Sequence, residues 1–340
     1  MSIAASSPSP VQLRPHRHRI LVCLDRSPFS EVCLPYAISI AKTFGSEITL
    51  THVMQPHHEH CGSQTADALG WEISRQEARA YLERQQDEAS RALGRPIDVR
   101  LEQGHPAERI VGLATEIGAD LTVLASHGEG GVTQWNLGST VQQVLAVARG
   151  SVFIAHSSSA APSLVTPKRI LVPLDGSVRT ESVLPTAARI ACAYSAELLL
   201  AHVVEEPIAS SVLRAGEELV LAAQLAARLE GSAKRYLENV HGRLAHEVPA
   251  VRTVVVRHSN ERQGLLELSL QEHVDLIVLS AHGAACDPVR PFGSVTAHLL
   301  THSTIPVLVL QDLPPELERP NELAEQLAPA LRASYPPGAV

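Results

Sequence analysis

Phe, Trp and Tyr together make up only 3% of the 340 residues, so any core has to be built from Leu, Val, Ile and Ala. No apolar run approaches the ~20 residues that cross a bilayer as a helix, which removes a membrane-spanning protein from the expectations. The opening stretch, 1–16, is rich in Ser and Pro and lacks the apolar centre of a secretory signal, so it reads as a disordered leader. Cysteine is sparse: Cys23, Cys33, Cys61, Cys192 and Cys286 form an odd set with no Cys-x-x-Cys pair. This is no disulfide framework, and a reducing, cytoplasmic setting is expected. Cys23 and Cys192 lie in apolar runs and read as small buried hydrophobes. Positive charge is also short, with 28 Lys and Arg against 36 Asp and Glu and a net charge of −8. A general nucleic-acid binder needs a basic face to displace counter-ions, so that class is excluded.

What is present is a duplication. Arg19-Ile-Leu-Val-Cys-Leu-Asp25 returns as Arg169-Ile-Leu-Val-Pro-Leu-Asp175, and Thr51-His52-Val53 as Ala201-His202-Val203, each 150 positions on. Asp120-Leu-Thr-Val-Leu-Ala-Ser-His-Gly128 returns as Asp275-Leu-Ile-Val-Leu-Ser-Ala-His-Gly283, and Gly138-Ser139 as Gly293-Ser294, each 155 positions on. The second copy therefore carries five extra residues, expected between its second and third strands. Four anchors in one order identify two tandem domains, 17–157 and 168–311, with a linker over 158–167 and a Pro-bounded tail over 312–340 in which a short helix is expected from Glu316 to Arg332. An apolar share of 45% supplies enough side chains for two cores.

Within each copy, short apolar runs alternate with helical periods. Ile20–Leu24 and Ile170–Leu174 are continuous apolar runs, as strands buried on both faces require. Ser27-Pro28 caps a helix predicted to run unbroken to Phe44, where Gly45 ends it. Trp71, Ala78, Leu82, Ala89 and Leu93 share one face of a later helix. The alternation predicts an α/β fold: two doubly wound, five-stranded parallel-sheet domains joined by right-handed crossovers.

Ligands of such sheets sit beyond the carboxyl ends of the strands, where strand order reverses. Three segments are expected there: Asp25 and Asp175 after the first strands, Val53 and Val203 at the ends of the second, and the loops at Ser126-His127-Gly128 and His282-Gly283 after the fourth. Nine residues separate Gly128 from Gly138-Ser139, and nine separate Gly283 from Gly293-Ser294. Glycine lets backbone N–H groups approach an anion, and the second glycine opens a helix whose first N–H groups are unpaired. The hydroxyls of Ser139, Thr140, Ser294 and Thr296 are further donors. Each hydrogen bond to a charged group contributes roughly 1.5–3 kcal/mol, and micromolar affinity needs about 8 kcal/mol. Turn-forming glycines are the plainer reading of each spacing alone, and Asp25 and Asp175 serve equally as helix caps.

These residues resemble the universal stress protein family in a tandem form, over about Arg17 to Gln311. ATP-binding members carry Gly-x2-Gly-x9-Gly-Ser/Thr and an Asp after the first strand. The resemblance implies a Rossmann-like, adenine nucleotide alpha-hydrolase-like fold and assigns nucleotide contacts to Asp25, Val53, Gly128, Gly138 and Ser139. In the second copy it assigns Asp175, Val203, Gly283, Gly293, Ser294, Val295 and Thr296. Pro173 matches the residue two before the Asp, where the first copy has Cys23. The first motif glycine is replaced by Ala125 and Ser280, which implies pressure on the ligand or a cost of about 1 kcal/mol if the backbone needs positive φ. Glu129 brings negative charge to the first loop, and Arg290 partly offsets Asp287 in the second. The resemblance further implies that Val152–Ala155 pairs with Val307–Leu310, making one chain a pseudo-dimer, alongside homodimerisation as in the family. The implied cofactor is ATP or another adenine nucleotide, with Mg2+ accompanying its phosphates, and the implied role is stress-related regulation.

Catalysis is not expected beyond slow ATP turnover: the phosphate-loop lysine of Gly-x4-Gly-Lys-Ser/Thr is missing, and no nucleophile stands near a base at a recognised spacing. Two alternatives stay open. One is a signalling or scaffold dimer of the same fold without nucleotide. The other is a metal-responsive protein using His57, His58, His60 and Cys61, with His52, His105 and His127 nearby; imidazole and thiolate suit zinc, copper or nickel. A polar loop with incidental histidines accounts equally for that cluster.

Overall fold

The computed structural model describes residues 18–55, 68–127, 137–148, 150–156, 166–205, 216–285, 287 and 289–312. The expected Glu316–Arg332 helix, the His57–Cys61 cluster, Gly128 and Glu129 lie outside them. The first half runs β1 (Arg19–Cys23), α1 (Pro28–Glu31), α2 (Cys33–Phe44), β2 (Glu47–Met54), α3 (Ala68–Leu93), β3 (Asp98–Gln103), α4 (Pro106–Ile117), β4 (Leu121–Ala125), α5 (Ser139–Val147) and β5 (Ser151–Ala155). The second half repeats it as β6 (Arg169–Pro173), α6 (Val178–Glu181), α7 (Leu184–Tyr194), β7 (Glu197–Glu205), α8 (Gly216–Leu244), β8 (Val251–His258), α9 (Glu261–Gln271), β9 (Leu276–Ser280), α10 (Ser294–His302) and β10 (Val307–Leu310).

All ten strands belong to one sheet in the order β3-β2-β1-β4-β5-β10-β9-β6-β7-β8. Within each half the pairing is parallel. The chain builds outward from β1 to β3 on one side and from β4 to β5 on the other, so order reverses between β1 and β4, and again between β6 and β9. The halves meet where β5 and β10 pair antiparallel, with Phe153 opposite Leu308. This is the pairing the resemblance implied, and it covers one edge of each five-stranded sheet. Across the same junction Tyr194 Oη donates to the Ser39 carbonyl at 2.9 Å, and the Arg189 guanidinium lies 4.5 Å from the centre of the Phe44 ring.

Apolar side chains fill both faces of the sheet. Ile20, Val22, Leu50, Leu82, Ile170, Leu198 and Leu237 belong to one core cluster, and Leu21, Ile110, Val144, Leu171, Leu265 and Leu299 to the other. Ala78, Leu82 and Ala89 are buried on α3, as their spacing predicts. Among the described residues no helix is long and apolar enough to cross a membrane.

Three local expectations are corrected. The single helix after Ser27-Pro28 is two helices, broken at Val32, and the second half breaks the same way before Leu184. Pro35 and Pro185 explain both: proline has no N–H for the carbonyl four residues back, and its ring collides with it. Cys192 is exposed rather than buried, its thiol donating to the Glu247 carbonyl from the last turn of α7. Of the five extra residues, strand register puts four before β8 and the fifth in the turn between β8 and α9.

Candidate functional site

A cavity of about 890 Å³ opens at the carboxyl ends of β1, β2 and β4, at the reversal of strand order. This is where a doubly wound sheet holds its ligands, and the volume falls in the ordinary range for ligand pockets, ~300–1,000 Å³. Cys23 and Asp25 reach it from the end of β1, Val53 from β2, Ala125 and His127 from the end of β4, and Gly138, Ser139 and Thr140 from the start of α5. These segments lie up to 117 positions apart in sequence, from Cys23 to Thr140, and are brought together by the crossovers.

The start of α5 has the expected electrostatics with one difference. The Gly138 N–H donates to the Ser126 carbonyl at 2.8 Å, so it is not presented to a ligand. The next three N–H groups, of Ser139, Thr140 and Val141, have no helical partner, and the helix dipole places partial positive charge on them. Ser126 itself is buried and anchors this turn, its own N–H donating to the Ala155 carbonyl; it does not line the cavity. Gly138 and Gly293 have φ of −56° and −68°, so neither is required for a left-handed turn. A Cβ on Gly293 would meet only ordinary contacts, the nearest 3.5 Å away.

Asp25 accepts hydrogen bonds from the Ser27 N–H at 2.9 Å and its hydroxyl at 2.6 Å, which shapes the β1–α1 turn. His52 Nδ1 donates to the Leu24 carbonyl at 2.8 Å, and His202 repeats this on Leu174 at 2.7 Å, so the repeated histidines brace that turn. Burial pushes the Cys23 thiol up, consistent with a neutral wall residue. Burial and the neighbouring His127 push His156 down to about 4. The strain expected at Ala125 and Ser280 is absent: both end strands, and neither is among the positive-φ residues, Arg26, Ser195 and His273. His52 and His127 line the cavity and His105 sits at the position before α4 without a side-chain cap bond, yet no three metal-ligating side chains cluster among the described residues.

The second half fastens its equivalent loop with its own side chains. Asp175 accepts from the Ser177 N–H at 2.9 Å, the Thr180 hydroxyl at 2.8 Å and the Ala284 N–H at 2.7 Å. Burial raises its carboxyl, but Ser177, Ala284 and Thr180 outweigh burial and hold it below its ordinary value. A Cβ on Gly283 would lie 2.5 Å from Asp175 Oδ2, so the loop sits directly on the carboxylate. His282 is 1% exposed: Nδ1 bonds Asp312 Oδ1 at 2.9 Å and Nε2 bonds the Arg290 carbonyl at 2.8 Å. Asp312, itself 2% exposed, also pairs with Arg179 at 2.7 Å. Thr296, expected to donate to phosphate, is buried and donates to the Ser280 carbonyl at 2.9 Å. Val203 is buried in the core, and Val295 packs against it. Ser294 is exposed at the helix start, Pro173 is buried at the end of β6, and Arg290 points outward beside Asp287 at 3.5 Å.

Sequence reasoning missed several residues. Arg26, Gln55, Ser74 and Pro106 line the first cavity, and Trp71, placed by its spacing on one helix face with Ala78 and Leu82, lines it too. Arg26 carried a legible signal, since the second copy has Gly176 at that place. The Arg179–Asp312–His282 set is not repeated in the first copy and left no signal.

The universal stress protein family model matches residues 16–156 and again 166–311. A universal stress protein of Mycolicibacterium smegmatis is 27% identical over 303 residues, covering 86% of this chain and 96% of that relative. The crystal structure of a universal stress protein from Archaeoglobus fulgidus superposes with a TM-score of 0.62 at 18% identity, covering 88% of this chain and all of that one. With a duplicated fold, a cavity at the reversal of strand order in the first half, and both repeats matched by the family model, the chain belongs to the universal stress protein family.

Proposed function

We propose that the first half binds an adenine nucleotide, ATP or a close relative, and that the protein acts as a cytoplasmic, nucleotide-responsive regulator rather than a catalyst. One observation carries this reading: Asp25, Val53 and the open start of α5 border one cavity of about 890 Å³. The polyphosphate lies against the N–H groups of Ser139, Thr140 and Val141 and the two hydroxyls. Asp25 faces the sugar end, and Val53 with Cys23 supplies an apolar wall. Four or five charge-assisted bonds at roughly 1.5–3 kcal/mol each sum to about 6–15 kcal/mol, a range that spans the roughly 8 kcal/mol of micromolar affinity. Mg2+ accompanies the phosphates as counter-charge.

The second half, with Asp175, His282 and Thr296 engaged internally, is assigned a structural role, so one nucleotide binds per chain. Calorimetric titration of the full chain with ATP tests this. The expected stoichiometry is one; Gly138→Val abolishes binding by placing a branched side chain at the helix start, and Gly293→Val leaves it unchanged. Equal binding by the wild type and Gly138→Val contradicts the reading.

A further inference from the structure

One backbone position distinguishes the two halves at the cavity. After Asp175 comes Gly176 at φ 87°, and after Asp25 comes Arg26 at φ 72°. Both lie in the left-handed region, where a Cβ crowds the following carbonyl. Glycine relieves that crowding in the second half, yet the first half keeps a long, branched cation. Strain held at one defined residue invites the question of what its side chain does.

Stability does not explain it. The partner of Arg26 is Glu77 on α3, at 3.6 Å with side chains 38% and 61% exposed, and such open pairs contribute little. The location is more informative. Arg26 is the one Lys or Arg among the described residues lining the cavity. Glu77 places Arg26 beside the stretch of α3 that carries Trp71 and Ser74, which line the same cavity. Trp71 is the one Phe, Tyr or Trp on that lining among the described residues. The α3 helix follows β2 and α5 follows β4, and these strands flank β1 on opposite sides, so the indole and the open helix start border different ends of the cavity.

We propose that Arg26 and Trp71 form the contact surface for the ligand's heterocycle, while its phosphates lie at α5. This rests on the nucleotide reading above. A guanidinium plane and an indole are the two protein surfaces best suited to the face of a flat, electron-rich ring, and stacking on Trp is a main source of base affinity in other proteins.

The test is titration of the full chain with AMP and with ATP, using Arg26→Gly, Trp71→Ala and Trp71→Phe, alongside thermal unfolding. Arg26→Gly and Trp71→Ala are expected to weaken both ligands about ten-fold and by the same factor, about 1.4 kcal/mol. Trp71→Phe keeps most of the affinity. Arg26→Gly also raises the thermal midpoint, because it relieves the left-handed backbone, so its weaker binding is not misfolding. Unchanged affinity in Arg26→Gly and Trp71→Ala overturns the proposal, with the nucleotide reading intact. So does a loss that grows from AMP to ATP, which makes Arg26 a phosphate contact, or a lower midpoint in Arg26→Gly, which makes it structural support. A wild-type chain that binds neither ligand overturns the nucleotide reading and this inference together.

Discussion

Replacing Asp312 by Ala removes one carboxylate from three donors: the His282 N–H at 3.0 Å, His282 Nδ1 at 2.9 Å and Arg179 at 2.7 Å. Arg179 is 39% exposed and regains water, so its share is small, about 0–1 kcal/mol. The His282 donors are in a different position, because that side chain is 1% exposed and the substitution leaves both groups buried without a partner. Each costs roughly 1–3 kcal/mol, and because both donors share the one oxygen Asp312 Oδ1 the expected loss is taken towards the lower end of the sum, about 3 kcal/mol. For a folding unit of this size that corresponds to a fall of roughly 6–12 °C in the transition of the second half. Scanning calorimetry of the full chain measures it, and His282→Ala with the double variant completes a cycle whose expected coupling is about 1–3 kcal/mol. A fall of less than 2 °C, roughly the shift of a surface substitution, or strict additivity in the cycle, would refute the account of the fastened loop.

Other outcomes follow from single contacts. Gly283→Ala puts a Cβ 2.5 Å from Asp175 Oδ2, so either the loop or the carboxylate must move; denaturation should show a loss of about 1–3 kcal/mol, whereas Gly293→Ala, with its nearest contact at 3.5 Å, should be close to neutral. Ser195 ends α7 at φ 54° where Gly45 ends α2 at φ 71°, so Ser195→Gly should stabilise the chain by about 1 kcal/mol in the same assay. His156 is held neutral in the fold, down to about 4 from 6.5, while the unfolded chain takes up the proton more readily. Its contribution is therefore complete above pH 6.5 and is lost as the pH falls from there towards 4, by about 3 kcal/mol in all. His156→Gln should flatten stability measured across that window, and an unchanged pH profile would contradict the burial argument.

The parts of this protein that were legible in the sequence are those fixed by local pattern and repetition. Continuous apolar runs such as Ile20–Leu24 mark strands covered on both faces, and the recurrence of Asp25, His52 and Gly138 in the second copy orders the elements. The break after Glu31 was legible as well, since Pro35 removes a helical donor, but the cap at Ser27 and the stop at Gly45 suggested one continuous helix. Cys192 shows the limit of neighbourhood: apolar flanks do not bury a residue in a helix's last turn. The site followed the same division. Asp25, Val53 and Gly138 converge because strand ends always do so in this topology. The engagement of Thr296 with Ser280, and of His282 with Asp312, depends on where a loop settles, and nothing local encodes that. Arg26 lay between the two, visible only by setting Asp25-Arg26 beside Asp175-Gly176.

The most direct measurement is mass spectrometry of ligand released from freshly purified full-length chain, joined to calorimetry with added ATP. An adenine nucleotide recovered at no more than one per chain, with a single site lost in Gly138→Val, is the predicted result. A chain that carries no nucleotide and shows no heat of binding at about 1 mM ATP, the concentration at which even a 4 kcal/mol interaction is half saturated, would contradict it.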